Sequence, residues 1–219
     1  MLTNPLELST SIILILLIAA FVAGYIDTLV GGGGLITIPA LMMVGVPPIY
    51  ALGTNKLQAV AGSGTATLTL LLQKKLSLND VRWLMLTAFI GACIGAVLVQ
   101  FIRPEALSFV VPIVIVAIAF YFVFVPAASL SASEPKISKE VYAATAVPTI
   151  GFYDGMFGPG TGSFFVWTGV SLRGQGIIGS TVTAKALNFA TNVAALGVFV
   201  FYAKVLWNCL LYTSPSPRD

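Results

Sequence analysis

Two stretches of this chain carry the same pattern, and both set it inside apolar sequence. The first runs Gly-Tyr-Ile-Asp-Thr-Leu-Val-Gly-Gly-Gly-Gly-Leu-Ile-Thr-Ile-Pro-Ala from Gly24 and continues to Gly53-Thr54-Asn55-Lys56. The second runs Gly-Phe-Tyr-Asp-Gly-Met-Phe-Gly-Pro-Gly-Thr-Gly-Ser from Gly151, with Lys185 further on. Gly24 and Gly151 are 127 positions apart (151 − 24), as are Asp27 and Asp154, and Gly31 and Gly158; Lys56 and Lys185 are 129 apart (185 − 56). A charge within an apolar segment is costly unless it is paired or faces a polar cavity, so each copy marks a functional position. The glycines interrupt a helix and leave backbone groups that only protein or a cavity can satisfy at membrane depth. A helix restarting after them presents free N–H groups and a positive dipole end to whatever occupies the break, which suits an anion.

Of the 219 residues, 58% are hydrophobic and only 9% charged, with a mean hydropathy of +0.98. Soluble domains average roughly 25% charge. That much apolar surface identifies an all-α polytopic membrane protein, with the lipid bilayer as its surroundings. The net charge of +3 is spread over short loops and isolated positions, which gives nucleic acid no basic stripe to bind. With no histidine, and with Cys93 and Cys209 far apart, the sequence offers no zinc cluster, no CxxC pair and no Ser-His-Asp triad. No cofactor or metal is called for. Gly162-Ser163 does not make a serine protease, because no adjacent base activates the hydroxyl.

Taken in order, Ser11 to Val30 gives a first span, retained because no basic segment precedes it. Leu35 to Val46 is a half-helix or tilted span ending at Pro47-Pro48, and Ile49 to Leu72 is a helix rich in small residues. Lys74, Lys75 and Arg82 flank a turn placed on the cytoplasmic side. Trp83 to Phe101, with Gly91 and Gly95 in GxxxG spacing, and Leu107 to Val125 complete a first repeat over residues 1–125. Residues 126–140 read as a cytoplasmic linker, and 141–208 as a partial second repeat without counterparts of the spans from Trp83 to Val125. Arg173 marks another cytoplasmic turn, and Trp83, Trp167 and Trp207 are expected at the bilayer interfaces. Residues 209–219 resemble translated sequencing adapter more than protein and are expected to be a non-native tail. If Leu35 to Val46 crosses, the two motif helices begin on opposite sides, which makes the halves inverted-topology repeats with glycine-broken helices.

Together, Gly24-Tyr25-Ile26-Asp27 with Gly31 to Gly34 and Ile38-Pro39-Ala40, Thr54-Asn55-Lys56-Leu57-Gln58, Gly151 to Pro159, Ala184-Lys185-Ala186-Leu187-Asn188 and Thr191-Asn192 resemble the sulfite exporter TauE/SafE family over nearly all of residues 10–206. The resemblance implies a bacterial inner-membrane transporter of about seven or eight helices in two related halves, several members being linked to export of sulfite or organosulfur anions.

The expected cargo is therefore a small anion. Lys56, Lys185, Gly31, Gly32, Gly33, Gly34, Asn55, Gly158, Gly160, Thr161 and Asn188 are the candidate substrate-binding residues, and Asp27 and Asp154 the candidates for coupling or gating. Thr28, Ser163 and Asn192 are further polar candidates. Each has a plainer reading. The aspartates could only pin their broken helices by capping free N–H groups, the lysines could only form a salt bridge to an aspartate of the same or opposite copy, and the hydroxyls and amides could be interhelical glue. A secondary active exporter, whose aspartates couple anion movement to protons or gate the two sides, is the leading reading. A passive anion channel and a non-transporting scaffold subunit are the alternatives, a homo-oligomer fits any of them, and an enzyme does not.

Overall fold

The computed structural model describes residues 10–29, 31–124 and 132–206. Among these residues the chain is an all-α membrane protein of nine helices. They are α1 (Thr10–Leu29), α2 (Gly34–Met43), α3 (Pro48–Leu72), α4 (Leu78–Val99), α5 (Pro104–Phe124), α6 (Lys139–Ala144), α7 (Ala146–Met156), α8 (Thr161–Ser171) and α9 (Ile177–Phe201). By length and composition α4, the Pro104–Tyr121 part of α5 and α9 can each cross a bilayer. The suspected tail and Trp207 lie outside the described residues, as does most of the first half of the linker.

Both glycine breaks occur where the repeat predicts them. Gly31 (φ 83°), Gly158 (φ 94°) and Gly160 (φ 77°) take left-handed backbone that a side chain disfavours. The helices restarting after the breaks, α2 with 10 residues and α8 with 11, extend about 15 Å. That is half of a hydrocarbon core about 30 Å thick, so the segment after Gly34 is a half-helix in length. Residues 141–150 are divided between two helices, and α6 begins at Lys139, capped by the Ser138 hydroxyl accepting from the Val141 N–H. Pro148 is the cause: it has no N–H to give to the Ala144 carbonyl, and its ring crowds that group, so α6 ends at Ala144 and α7 starts afresh.

The halves are inverted relative to one another. Helices α3 and α9 occupy equivalent places in the two repeats, yet they pack antiparallel: Thr67 donates to the Lys185 carbonyl, Gly64 lies against Phe189, and Gly53 lies against Phe199. The tightest packing joins α4 to α7, and here small residues from both helices interdigitate. A Cβ on Gly91 or Gly95 would strike the Pro148 or Phe152 carbonyl, and a Cβ on Gly151 or Gly155 the Ala88 or Ala92 carbonyl. The GxxxG spacing of α4 thus meets a second one on α7, and the backbones approach as only glycine allows. Ala88, Ala92 and Ala96 between them are fully buried. Helix α5 by contrast is mostly exposed, with Phe109, Ile113, Phe120 and Phe124 directed outward. Trp83 and Trp167 are also on the surface, 63% and 41% exposed.

Basic loops gather at one end of the molecule. The segment before α6 is tied to the α8–α9 turn by Ser133 N–H to the Gly174 carbonyl (2.8 Å), Lys136 N–H to the Leu172 carbonyl (2.9 Å) and the Arg173 guanidinium to the Ile137 carbonyl. Lys139 in turn donates to the Asp80 carbonyl at the start of α4. Lys74, Lys75, Arg82, Lys136, Lys139 and Arg173 therefore share this end, while Arg103 and Lys204 stand at the other.

The α4–α7 contact gives a direct test. Gly155→Ala puts a methyl group into the Ala92 backbone and is expected to destabilise the protein by about 1–3 kcal/mol. Gly197→Ala in α9, where a Cβ meets nothing within 4 Å, should be neutral or stabilising by about 0.5–1 kcal/mol. Unfolding of the detergent-solubilised variants by urea measures both.

Candidate functional site

The site begins with two buried carboxylates. Asp27, 7% exposed, lies in the last turns of α1, and Asp154, 1% exposed, lies near the end of α7, so each sits just before its glycine break. Lys56 and Lys185 are buried as well, and each is the ninth residue of a 25-residue helix. Because α3 and α9 are antiparallel, the lysines enter from opposite ends, each about 12 Å along its helix.

Each lysine serves the aspartate of the other repeat. Lys56 Nζ lies 2.8 Å from Asp154 Oδ1 in a buried ion pair and also donates to the Asp154 main-chain carbonyl. Thr161 Oγ1, at the N-terminus of α8, donates to the same Oδ1 at 2.8 Å. Gly158 makes room for this cluster, since a Cβ there would stand 2.7 Å from Lys56 Nζ. On the other side Lys185 Nζ donates to the Asp27 main-chain carbonyl at 2.8 Å, and Asp27 Oδ1 accepts the Gly33 N–H at 3.1 Å. Among the described residues, Oδ2 of Asp27 and of Asp154 are buried without a hydrogen-bond partner.

The two breaks touch one another. The space a Cβ would need at Gly31 is filled by the Gly162 backbone at 2.7 Å, and Gly34 faces both the Asn55 amide (3.2 Å) and the Pro159 backbone (3.5 Å). Gly33 is backed by the Ala23 carbonyl at 2.7 Å and by Asp27. The N-terminal ends of the half-helices α2 and α8 thus meet at a junction that also holds Asn55 and the four charges. Positive helix ends and two ammonium groups converge there on two carboxylates.

Of the residues singled out from sequence, Asp27, Lys56, Asp154, Lys185, Gly31, Gly33, Gly34, Asn55, Gly158 and Thr161 meet at this junction. Gly32 and Gly160 shape the breaks beside it. Asn188 is buried on α9 and accepts from Asn192 Nδ2 (2.7 Å to its carbonyl, 3.1 Å to Oδ1), forming a separate pair further along the helix. Thr28 is exposed and bonds its own helix at the Gly24 carbonyl, so it does not join. Sequence reasoning overlooked three contributors. Gln58 accepts from Thr37 Oγ1 (2.8 Å) and donates to the Ala20 carbonyl (2.5 Å), fastening α1 and α2 to α3. Gly62 lies against Asp27, with a Cβ there 3.4 Å from Oδ2, and Gly162 receives Gly31. Gln58 stands two residues after Lys56, but nothing in its spacing separates a clamp from a lipid-facing amide.

The asymmetry of the pairing sets the expected cost of disturbing it. Lys56→Met leaves Asp154 buried without its counter-charge and should destabilise the protein by about 3–5 kcal/mol. Lys185→Met removes a charged hydrogen bond to a carbonyl and should cost about 1.5–3 kcal/mol. Equilibrium unfolding of both variants measures the difference, and the added change Asp154→Leu should recover much of the first loss.

The chain also compares with known proteins. The family model described as sulfite exporter TauE/SafE matches residues 16–216. A probable membrane transporter protein, ORF9, of Sinorhizobium sp is 43% identical over 201 residues, covering 92% of this chain and 77% of that protein. The probable membrane transporter protein of Haemophilus influenzae is 38% identical over 202 residues, covering 92% and 79%. The probable membrane transporter protein YfcA of Escherichia coli strain K12 is 39% identical over 193 residues, covering 88% and 72%. No solved structure matches. A duplicated Asp–Lys junction at paired helix breaks, in a chain matched along most of its length, makes this protein a member of the sulfite exporter TauE/SafE family of membrane transporters.

Proposed function

We propose that the protein is a secondary active transporter exporting a small anion, sulfite or a sulfur-containing organic anion, across the bacterial inner membrane. The observation that carries this reading is the meeting of two half-helix N-termini with Lys185, whose ammonium, among the described residues, is bound to a carbonyl and not to a carboxylate. An anion entering the junction finds positive helix ends and a cation that can turn toward it. Lys56, held by Asp154, anchors the second repeat, and Asn55 and Thr161 offer an amide and a hydroxyl beside it. In this mechanism the inverted repeats rock about the junction and expose it to the two sides in turn, with no covalent step. The end bearing Lys74, Lys75, Arg82, Lys136, Lys139 and Arg173 faces the cytoplasm.

Reconstitution into liposomes tests the reading. Sulfite trapped inside should drive uptake of labelled sulfite by counterflow, and Lys185→Gln should slow it about ten- to hundredfold, the worth of one charge-assisted hydrogen bond. Sulfite flux without counterflow would indicate a passive channel, and no flux from correctly folded protein a scaffold.

A further inference from the structure

The two copies of the motif are built differently. The position equivalent to Gly34 in the first copy is Thr161 in the second, at the same 127-residue offset (161 − 34). Asp154 accordingly receives two side-chain donors, Lys56 and Thr161, on one oxygen, and its charge is balanced by an ammonium in direct contact. Asp27 has no hydroxyl from its own break. Its Oδ1 receives a single main-chain N–H, and its Oδ2 is buried against Gly62 with no partner among the described residues. The charged groups facing Asp27 are Lys185 from α9, Lys56 from α3 and Asp154 from α7, while α2 contributes none. Lys56 and Asp154 are committed to each other, which leaves Lys185 as the cation available to Asp27, and it is turned to the main-chain carbonyl.

We infer that the two halves divide the work: Lys56 and Asp154 form a fixed ion pair, and Asp27 is the group that takes up a proton when an anion binds at Lys185. With both carboxylates ionised, the two acids and two lysines cancel and the junction offers an anion no net charge. A proton on Asp27 Oδ2 leaves the junction with one positive charge, and the ammonium of Lys185 is then free to face the anion. Bound anion in turn disfavours loss of that proton, so the two bind cooperatively and each raises the affinity of the other by the same factor. The anion and the proton therefore move together, and net direction follows their combined gradients. This inference rests on the anion-transport reading above and specifies its coupling residue.

The test uses methanesulfonate, whose charge does not change over the pH range, with the purified protein in detergent. Above the titration of Asp27 its dissociation constant should rise about tenfold per pH unit, as expected for one linked proton, with close to one proton taken up per anion bound. Asp27→Asn should bind with no pH dependence and no proton uptake, whereas the double variant Lys56→Met/Asp154→Leu, which removes the fixed pair without changing the charge of the junction, should keep the slope. A slope that survives Asp27→Asn, or that vanishes in Lys56→Met/Asp154→Leu, overturns the assignment, and so does a flat dependence in the unaltered protein. Infrared difference spectra of the protein without anion separate this inference from the cargo. A protonated-carboxyl band that grows in as the pH is lowered in the unaltered protein and in Lys56→Met/Asp154→Leu but is missing in Asp27→Asn supports Asp27 even if methanesulfonate does not bind, and its absence from the unaltered protein at every pH overturns the idea. Should Asp27→Asn fail to fold, persistence of both slope and band in Lys56→Met/Asp154→Leu supports Asp27, and their loss there overturns it.

Discussion

An unpaired charge cannot remain in a low-dielectric interior, and the rest of this structure follows from how that requirement is met. Each half provides an aspartate next to its own helix break and a lysine that reaches into the other half. Neither repeat is electrically complete by itself. Lys56 and Asp154 are 98 residues apart in sequence, and Lys185 and Asp27 are 158 apart, so both contacts form only when the halves come together. Charge pairing thereby does part of what a hydrophobic interface does in water, where lipid-facing surfaces give helices little reason to associate.

The second requirement is closeness. Carbonyls and short side chains can satisfy groups in the breaks only if backbones nearly touch, and glycine is what permits that at the α4–α7 seam and where Gly31 meets Gly162. The two uses of glycine differ. Along α4 and α7 it removes volume from regular helices, whereas at Gly31, Gly158 and Gly160 it also takes a backbone angle disfavoured for other residues. The seam joins the halves and the breaks make the candidate site, and both draw on the glycine content, 21 residues in all.

Much of this was legible in the sequence because the signals are of the kind that survive without coordinates. Long apolar runs give the helices, the 127-residue offset gives the repeat, and an aspartate or lysine in apolar surroundings announces itself. Pairing was less legible. Sequence spacing puts Asp27 and Lys56 in one copy, and only the antiparallel packing of α3 against α9 shows that each lysine crosses to the other. The break at Thr145 was hidden by apolar continuity, although Pro148 held the reason. Polar residues such as Thr28 and Gln58 look alike in a string, but one bonds its own helix and the other ties three helices together.

The mirrored depths of Lys56 and Lys185 have an electrical meaning. A rocking motion that lifted one lysine through the transmembrane field would lower the other by a like amount, and the work done on the two charges would cancel. A protein with both charges at one depth would be driven by the membrane voltage whether loaded or empty. In the proposed rocking motion, inverted repeats would leave the empty protein balanced against the voltage, and only what it carries would feel the field.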